Sequence, residues 1–85
     1  MSNDNEFVFV VDMDDEEFNE EVHREQVEQL YNDVDTVVDF DFSTRVNRGV
    51  TEFVKTVYYV VPEDMDNIEV REEISDAYRE IVRSY

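Results

Sequence analysis

The chain contains one glycine, Gly49, and one proline, Pro62, and nothing constrains its fold more than that scarcity. These residue types carry most sharp turns, so a chain with one of each is built from long elements and short loops. No internal repeat, linker or low-complexity tract interrupts the 85 residues, which read as one domain spanning 1–85. A chain of this length buries roughly 60–65% of its extended surface, a modest core. Hydrophobic residues make up 41% of it, with six Phe and five Tyr, too many for a disordered chain despite its charge. Cysteine is absent, which excludes disulfides and thiolate metal sites. The start, MSNDNE, is polar and acidic, and the apolar run Phe7 to Val11 is too short for a signal peptide or a membrane span. A cytoplasmic protein is expected, with no membrane partner.

Five elements follow from periodicity. EFVFVVDM (6–13) reads as a strand apolar on both faces and therefore well covered. DDEEFNEEVHREQVEQLYND (14–33) reads as a helix with a capping box of Asp14 and Glu17. Its apolar stripe is Phe18, Val22, Val27, Leu30, Tyr31 and Val34. DNIEVREEISDAYREIVRSY (66–85) reads as a second helix, capped by Asp66 and Glu69 and buried along Val70, Ile74, Ala77, Tyr78, Ile81 and Tyr85.

Between the helices lies a hairpin. A three-residue loop, Asn47-Arg48-Gly49, would set Val46 opposite Val50. That register faces Thr44, Phe42 and Phe40 toward the helices and pairs Asp41 with Lys55 on the other side, an opposite-charge pair that favours it. The order is β-α-β-β-α, and a right-handed first crossover leaves room for the third strand between the other two. The expected class is α+β: a three-stranded antiparallel sheet in the order 1-3-2 with both helices on one face. It resembles a ferredoxin-like fold lacking its last strand. The first strand would keep an open edge, and Asp39, Asp41, Phe53, Val57 and Tyr59, with Val61, would line the uncovered sheet face as a possible dimer seam. A homodimer is expected on those grounds.

Catalytic equipment is sparse. Nucleophilic catalysis needs a nucleophile, a base and an orienting group, and the only histidine, His23, sits among Glu20, Glu21 and Arg24 on an expected exposed helix face. Glu20 and His23 have the i,i+3 spacing of a di-iron helix, but no second such pair exists. DMDDEE (12–17) lacks the glycine and terminal glutamate of a calcium loop. Glu52 and Lys55 lie on opposite faces of a strand and cannot cooperate as nuclease groups. One glycine allows no glycine-rich phosphate loop. RGVTEFV (48–54) has its aromatics out of place for an RNA-recognition strand, and the chain has the wrong sign for nucleic acid. The sequence thus points to no enzyme, no cofactor, no metal and no direct nucleic-acid binding.

Charge is the outstanding feature: 24 acids against seven bases, a formal −17. Residues 1–34 carry −11 and residues 62–85 carry −5, while the hairpin, 35–61, carries −1. Glu16, Glu17, Glu20, Glu21 and Glu28 on the first helix, and Glu69, Glu72, Glu73, Asp76 and Glu80 on the second, are expected to form outward stripes. At about 1.5 Å rise per residue, carboxylates four apart sit roughly 6 Å from each other, similar to successive phosphates on one DNA strand. Each such like-charge pair costs roughly 0.2–0.5 kcal/mol, an outlay that interspersed lysines would avoid. In size, charge and lack of catalytic groups the chain resembles the small acidic DNA mimics of phages and mobile elements. That resemblance implies a non-enzymatic inhibitor occupying the basic nucleic-acid site of a host protein. The alternative is a structural or assembly module of a halophilic organism or its virus, its acids a hydrated surface in molar salt, where the Debye length is about 3 Å.

Four aspartates stand in DVDTVVDFDF (33–42), a stretch that otherwise reads as a strand. Asp33 and Asp35 suit the end of the helix-to-strand turn. Asp41 is assigned to Lys55 by the expected register, and Asp39 is left without a role.

Overall fold

The computed structural model describes residues 5–85. The chain runs β1 (Asn5–Asp12), α1 (Glu20–Asp33), β2 (Val37–Asn47), β3 (Val50–Tyr59) and α2 (Asn67–Arg83). The three strands form one antiparallel sheet in the order β1-β3-β2, the α+β arrangement that the element order and crossover rule predict. Both helices pack on the same face. From α1, Tyr31 meets Phe40, while from α2, Tyr78 stacks on Phe9 with ring centroids 4.1 Å apart.

β1 alternates strictly. Phe7, Phe9 and Val11 turn toward the helices, while Glu6, Val8, Val10 and Asp12 are exposed on the other face. The expectation of a strand covered on both sides is therefore corrected: Val8 is 44% and Val10 39% exposed. Only one face of this sheet has helices over it.

The hairpin differs from the expected register by one residue. Arg48 and Gly49 both adopt positive φ, +54° and +81°, so they alone form a two-residue turn of the type that matches strand twist. Asn47 thus pairs with Val50, not Val46 with Val50, and Phe42 rather than Asp41 faces Lys55. A slip of one residue moves every side chain to the opposite face. Phe53, Val57 and Tyr59, expected on the open face, lie in the helix-covered core, and Lys55 goes with them. Phe40 and Phe42 point toward the helices as expected, where they form an edge-on pair above Phe53. A bulge between Val37 and Asp39 then returns Val37 to the core opposite Tyr59.

The core comprises Val27, Leu30 and Val34 of α1 and its cap, Val37 of β2, Val57 and Tyr59 of β3, and Val70, Ile74 and Ile81 of α2. Each such aliphatic side chain contributes roughly 1.5–3 kcal/mol on burial. Tyr59 is anchored at its polar end, donating to Asn67 Oδ1 at 2.7 Å and accepting from Arg71 at 3.1 Å.

α2 begins as its sequence predicts. Glu69 N–H donates to the Asp66 carboxylate at 2.8 Å, and Asp66 N–H donates to the Glu69 carboxylate at 3.0 Å, completing the capping box. Tyr85 does not extend its buried stripe, for it is 54% exposed beyond the helix end. α1 begins later than expected. Its cap is Asn19, whose side chain accepts from Glu21 and Val22 N–H. The preceding acids are diverted into local turns instead, Asp12 accepting from Asp14 N–H at 2.8 Å and Asp15 from Glu17 N–H at 2.9 Å. Such side-chain turns compete with helix, and here they displace the Asp14–Glu17 capping box.

Candidate functional site

Two features stand out chemically, an anionic exterior and one cation sealed inside it. The exterior follows from the two helices lying side by side over the sheet, each turning its polar face outward. Glu20, Glu21 and Glu28 on α1, and Glu69, Glu72, Glu73, Asp76 and Glu80 on α2, are all exposed. Glu16 and Glu17 are exposed too, but in the turn before α1, so they do not extend its stripe. Four of these ten predicted residues are engaged within the fold. Glu20 pairs with Arg24 at 2.7 Å, Asp76 with Arg79 at 3.5 Å and Glu80 with Arg83 at 3.4 Å, while Glu69 serves the α2 cap. Among the described residues, Glu16, Glu17, Glu21, Glu28, Glu72 and Glu73 form no ion pair.

The expected sheet-face seam is divided by the corrected register. Asp39 and Asp41 lie on the open face, whereas Phe53, Val57 and Tyr59 are at most 3% exposed on the other side of the sheet. The open face instead carries Val8, Val10, Val54, Thr56 and Tyr58 at its centre. Asp41 loses its expected partner Lys55, and it and Asp39, for which the sequence offers no role, serve the main chain instead. Each carboxylate accepts from the N–H of the following residue, Phe40 or Phe42, at 2.8 Å. β2 is an edge strand, so these contacts occupy main-chain donors that would otherwise face solvent.

Lys55 is the buried cation. It is 1% exposed, and its Nζ lies 2.9 Å from His23 Nδ1 and within hydrogen-bonding distance of the Tyr78 hydroxyl. The rings of Tyr78 and Phe9 flank it, their centroids 4.9 and 5.9 Å from Nζ. An ammonium has donors only, so the charged lysine requires neutral His23 with its proton on Nε2. Burial pushes the lysine pKa from 10.5 down to about 8. Burial, then the adjacent ammonium, lowers the His23 pKa below its usual 6.5, and burial raises that of Tyr78. No carboxylate lies within ion-pair distance of Lys55 among the described residues.

His23 is therefore not the surface residue that its acidic neighbours imply. α1 turns it inward beside Phe18 and Phe53, with ring centroids 5.3 and 6.4 Å away. Lys55 and Tyr78 went unrecognised as its partners because the slipped register set Lys55 on the open face. The strand pattern Phe53-Lys55-Val57-Tyr59, a lysine at the same spacing as three core residues, was the available signal. The amine is closed off from solvent, flanked by the Tyr78 and Phe9 rings. Beside His23 a shallow depression of about 340 Å³ is lined by Val11, Asp12, Asp15, Glu17 and Phe18. No group of three or more histidine, aspartate or glutamate residues is arranged to hold a metal ion among the described residues. No helix among them is long and apolar enough to cross a membrane. Compared with known proteins, the chain matches no family model, no curated protein and no solved structure.

Proposed function

We propose that this is a non-enzymatic acidic interaction protein, a DNA mimic whose carboxylates occupy the basic nucleic-acid site of a partner protein. What supports the reading is how the fold disposes of its seven bases. Lys55 is buried. Arg71 lies over Phe7 at 4.6 Å and donates to the Glu6 carbonyl. Arg24 lies over Phe42 at 4.7 Å and pairs with Glu20. Arg45, Arg79 and Arg83 each hold one carboxylate. Arg48, in the hairpin turn, is left as the one base without an ion pair or ring contact among the described residues. The surplus acids consequently meet solvent with little cationic relief, on two adjacent helices and the turn before them. Such a field attracts a basic protein and accelerates its association at low salt.

The experiment is displacement of a labelled DNA duplex from basic DNA-binding proteins of the natural host at low salt. The expected result is competitive release of DNA, weakened by the combined change Glu21→Gln, Glu28→Gln, Glu72→Gln and Glu73→Gln. Failure to displace DNA from any such protein overturns the reading. So does a requirement for molar salt to fold, seen by circular dichroism, which would make the acids a salt adaptation.

A further inference from the structure

We propose that the free edge of β1 accepts an extended segment of a basic partner as a fourth strand, centred on Val8 and Val10. In an antiparallel pair, alternate residues turn both main-chain groups toward the neighbouring strand and the others turn theirs away. Met13 N–H donates to Thr51 O at 2.9 Å, which continues the β1–β3 ladder at odd-numbered positions. Phe7, Phe9 and Val11 therefore face β3, while Glu6, Val8, Val10 and Asp12 direct their N–H and C=O groups to the edge. The Glu6 carbonyl independently agrees, because it accepts from Arg71 at 2.9 Å from outside the ladder.

Arg71 closes one end of this edge, and Asp15 N–H, at 3.4 Å from the Asp12 carbonyl, closes the other. Between them the main-chain groups of Val8 and Val10 stand open, and no strand of the described chain lies beyond β1. The opposite edge is different. On β2 the outward N–H groups of Phe40 and Phe42 are already capped by Asp39 and Asp41. Sheet edges are commonly blunted against unwanted pairing, and here the middle of the β2 edge is blunted at Phe40 and Phe42 while the middle of the β1 edge is not. Strand addition is thus directed to β1.

Charge selects the occupant. The outward side chains along β1 read Glu6, Val8, Val10, Asp12, two half-exposed valines between two acids. An antiparallel strand bearing basic, apolar, apolar and basic residues at alternate positions would match all four by cross-strand pairing. A second copy of β1 fits poorly. Setting Val8 of one copy opposite Val10 of the other brings each Glu6 against an Asp12, and like charges directly opposed are destabilising. The basic occupant rests on the reading that this protein's partners are cationic.

The test uses a blocked seven-residue peptide, lysine-threonine-valine-threonine-valine-threonine-arginine, titrated into the full chain and followed by amide NMR. The expected result is saturable shifts and about tenfold slower hydrogen exchange at Val8 and Val10. A scrambled peptide and one with glutamine in place of both basic residues should bind at least about tenfold more weakly, a difference worth about 1.4 kcal/mol. Val8→Pro removes a donor that faces the edge without breaking the internal ladder, and it should abolish binding. If that variant does not fold, the exchange pattern of the unaltered chain decides. No slowing at Val8 and Val10, or equal binding of the scrambled peptide, overturns strand addition. Protection that grows with protein concentration alone makes a second copy the occupant and overturns the basic partner, as does equal binding of the glutamine peptide. DNA displacement that persists in Val8→Pro without edge protection overturns strand addition while leaving the DNA-mimic reading in place.

Discussion

Lys55 Nζ lies 2.9 Å from His23 Nδ1, joining the chain's only lysine to its only histidine across β3 and α1. The contact makes stability depend on pH in a defined direction. With a folded-state pKa of about 8 against 10.5 unfolded, Lys55 holds fewer protons folded than unfolded across that interval. Unfolding then takes up protons, so stability rises with pH from about 8 toward 10.5, by at most about 3 kcal/mol. His23, also lowered, adds a loss of stability as pH falls below 6.5. Tyr78, raised, reverses the trend above pH 10. Thermal melts should therefore show a higher midpoint at pH 9.5 than at pH 7, and a flat or falling profile would refute the buried lysine.

Replacing the cation by an apolar side chain of similar length should help the fold. Buried charges cost several kcal/mol to desolvate, and well-packed apolar replacements are often more stable by roughly 1–4 kcal/mol. Lys55→Met is expected to raise the urea midpoint at pH 7 and to flatten the profile between pH 8 and 10. Destabilisation by this change would mean that the lysine's contacts outweigh its desolvation.

The two helix starts separate by mutation. Asn19→Ala removes the α1 cap and should cost about 1 kcal/mol. Asp66→Ala should cost about as much, since Glu69 N–H loses its acceptor while the Glu69 carboxylate still accepts from the N–H of residue 66. Asp14→Ala, outside the helix, should stay within about 0.5 kcal/mol of the unaltered chain. Urea titration of the three variants checks the order, and an Asp14 effect as large as that of Asn19 would move the helix start.

Removing the β2 edge caps should expose that edge. In the double variant Asp39→Ala, Asp41→Ala, the amides of Phe40 and Phe42 should exchange faster, by about tenfold or more. Self-association should also rise with concentration, as expected of an unblunted edge. Unchanged exchange at both positions would show that the carboxylates do not hold those protons.

Salt should stabilise the isolated chain. Its unpaired carboxylates repel one another over a Debye length of about 30 Å at 0.01 M ionic strength and about 10 Å at 0.1 M. The urea midpoint should climb over that range and then level off. A cooperative transition already present at 0.01 M is expected, because burial of the apolar core does not require salt.

Topology and the second helix were legible in the sequence because several signals agreed there. Asp66, Glu69 and the spacing of Val70, Ile74 and Ile81 all specify the same element. The hairpin register was not, because the local signals conflict. Asn47-Arg48-Gly49 supports either a three-residue loop or a turn of Arg48 and Gly49 alone, and an arginine at positive φ is an uncommon choice. Opposite-charge pairing did not decide between them. One register joins Asp41 to Lys55, while the observed one joins Arg45 to Glu52 at 2.8 Å. That single ambiguity concealed the buried lysine, its histidine and the true composition of the open face. Eight of the ten outward acids lie on the helices, whose faces do not depend on strand register, while Glu16 and Glu17 fall in the turn before α1.

The inward use of the basic residues bears on how such a protein can evolve. Lys55 and Arg71 are tied to rings and main chain within the fold, and Arg24 lies over the Phe42 ring at the surface, so a change at any of them is felt as altered stability. Glu21, Glu28, Glu72 and Glu73 touch no cation, so they are free to be substituted, moved along the helix or exchanged for aspartate at little structural cost. Selection on the charge pattern and selection on the scaffold therefore act on nearly separate sets of positions. A lineage could follow a changing partner by redrawing its acids while keeping the same sheet, helices and core.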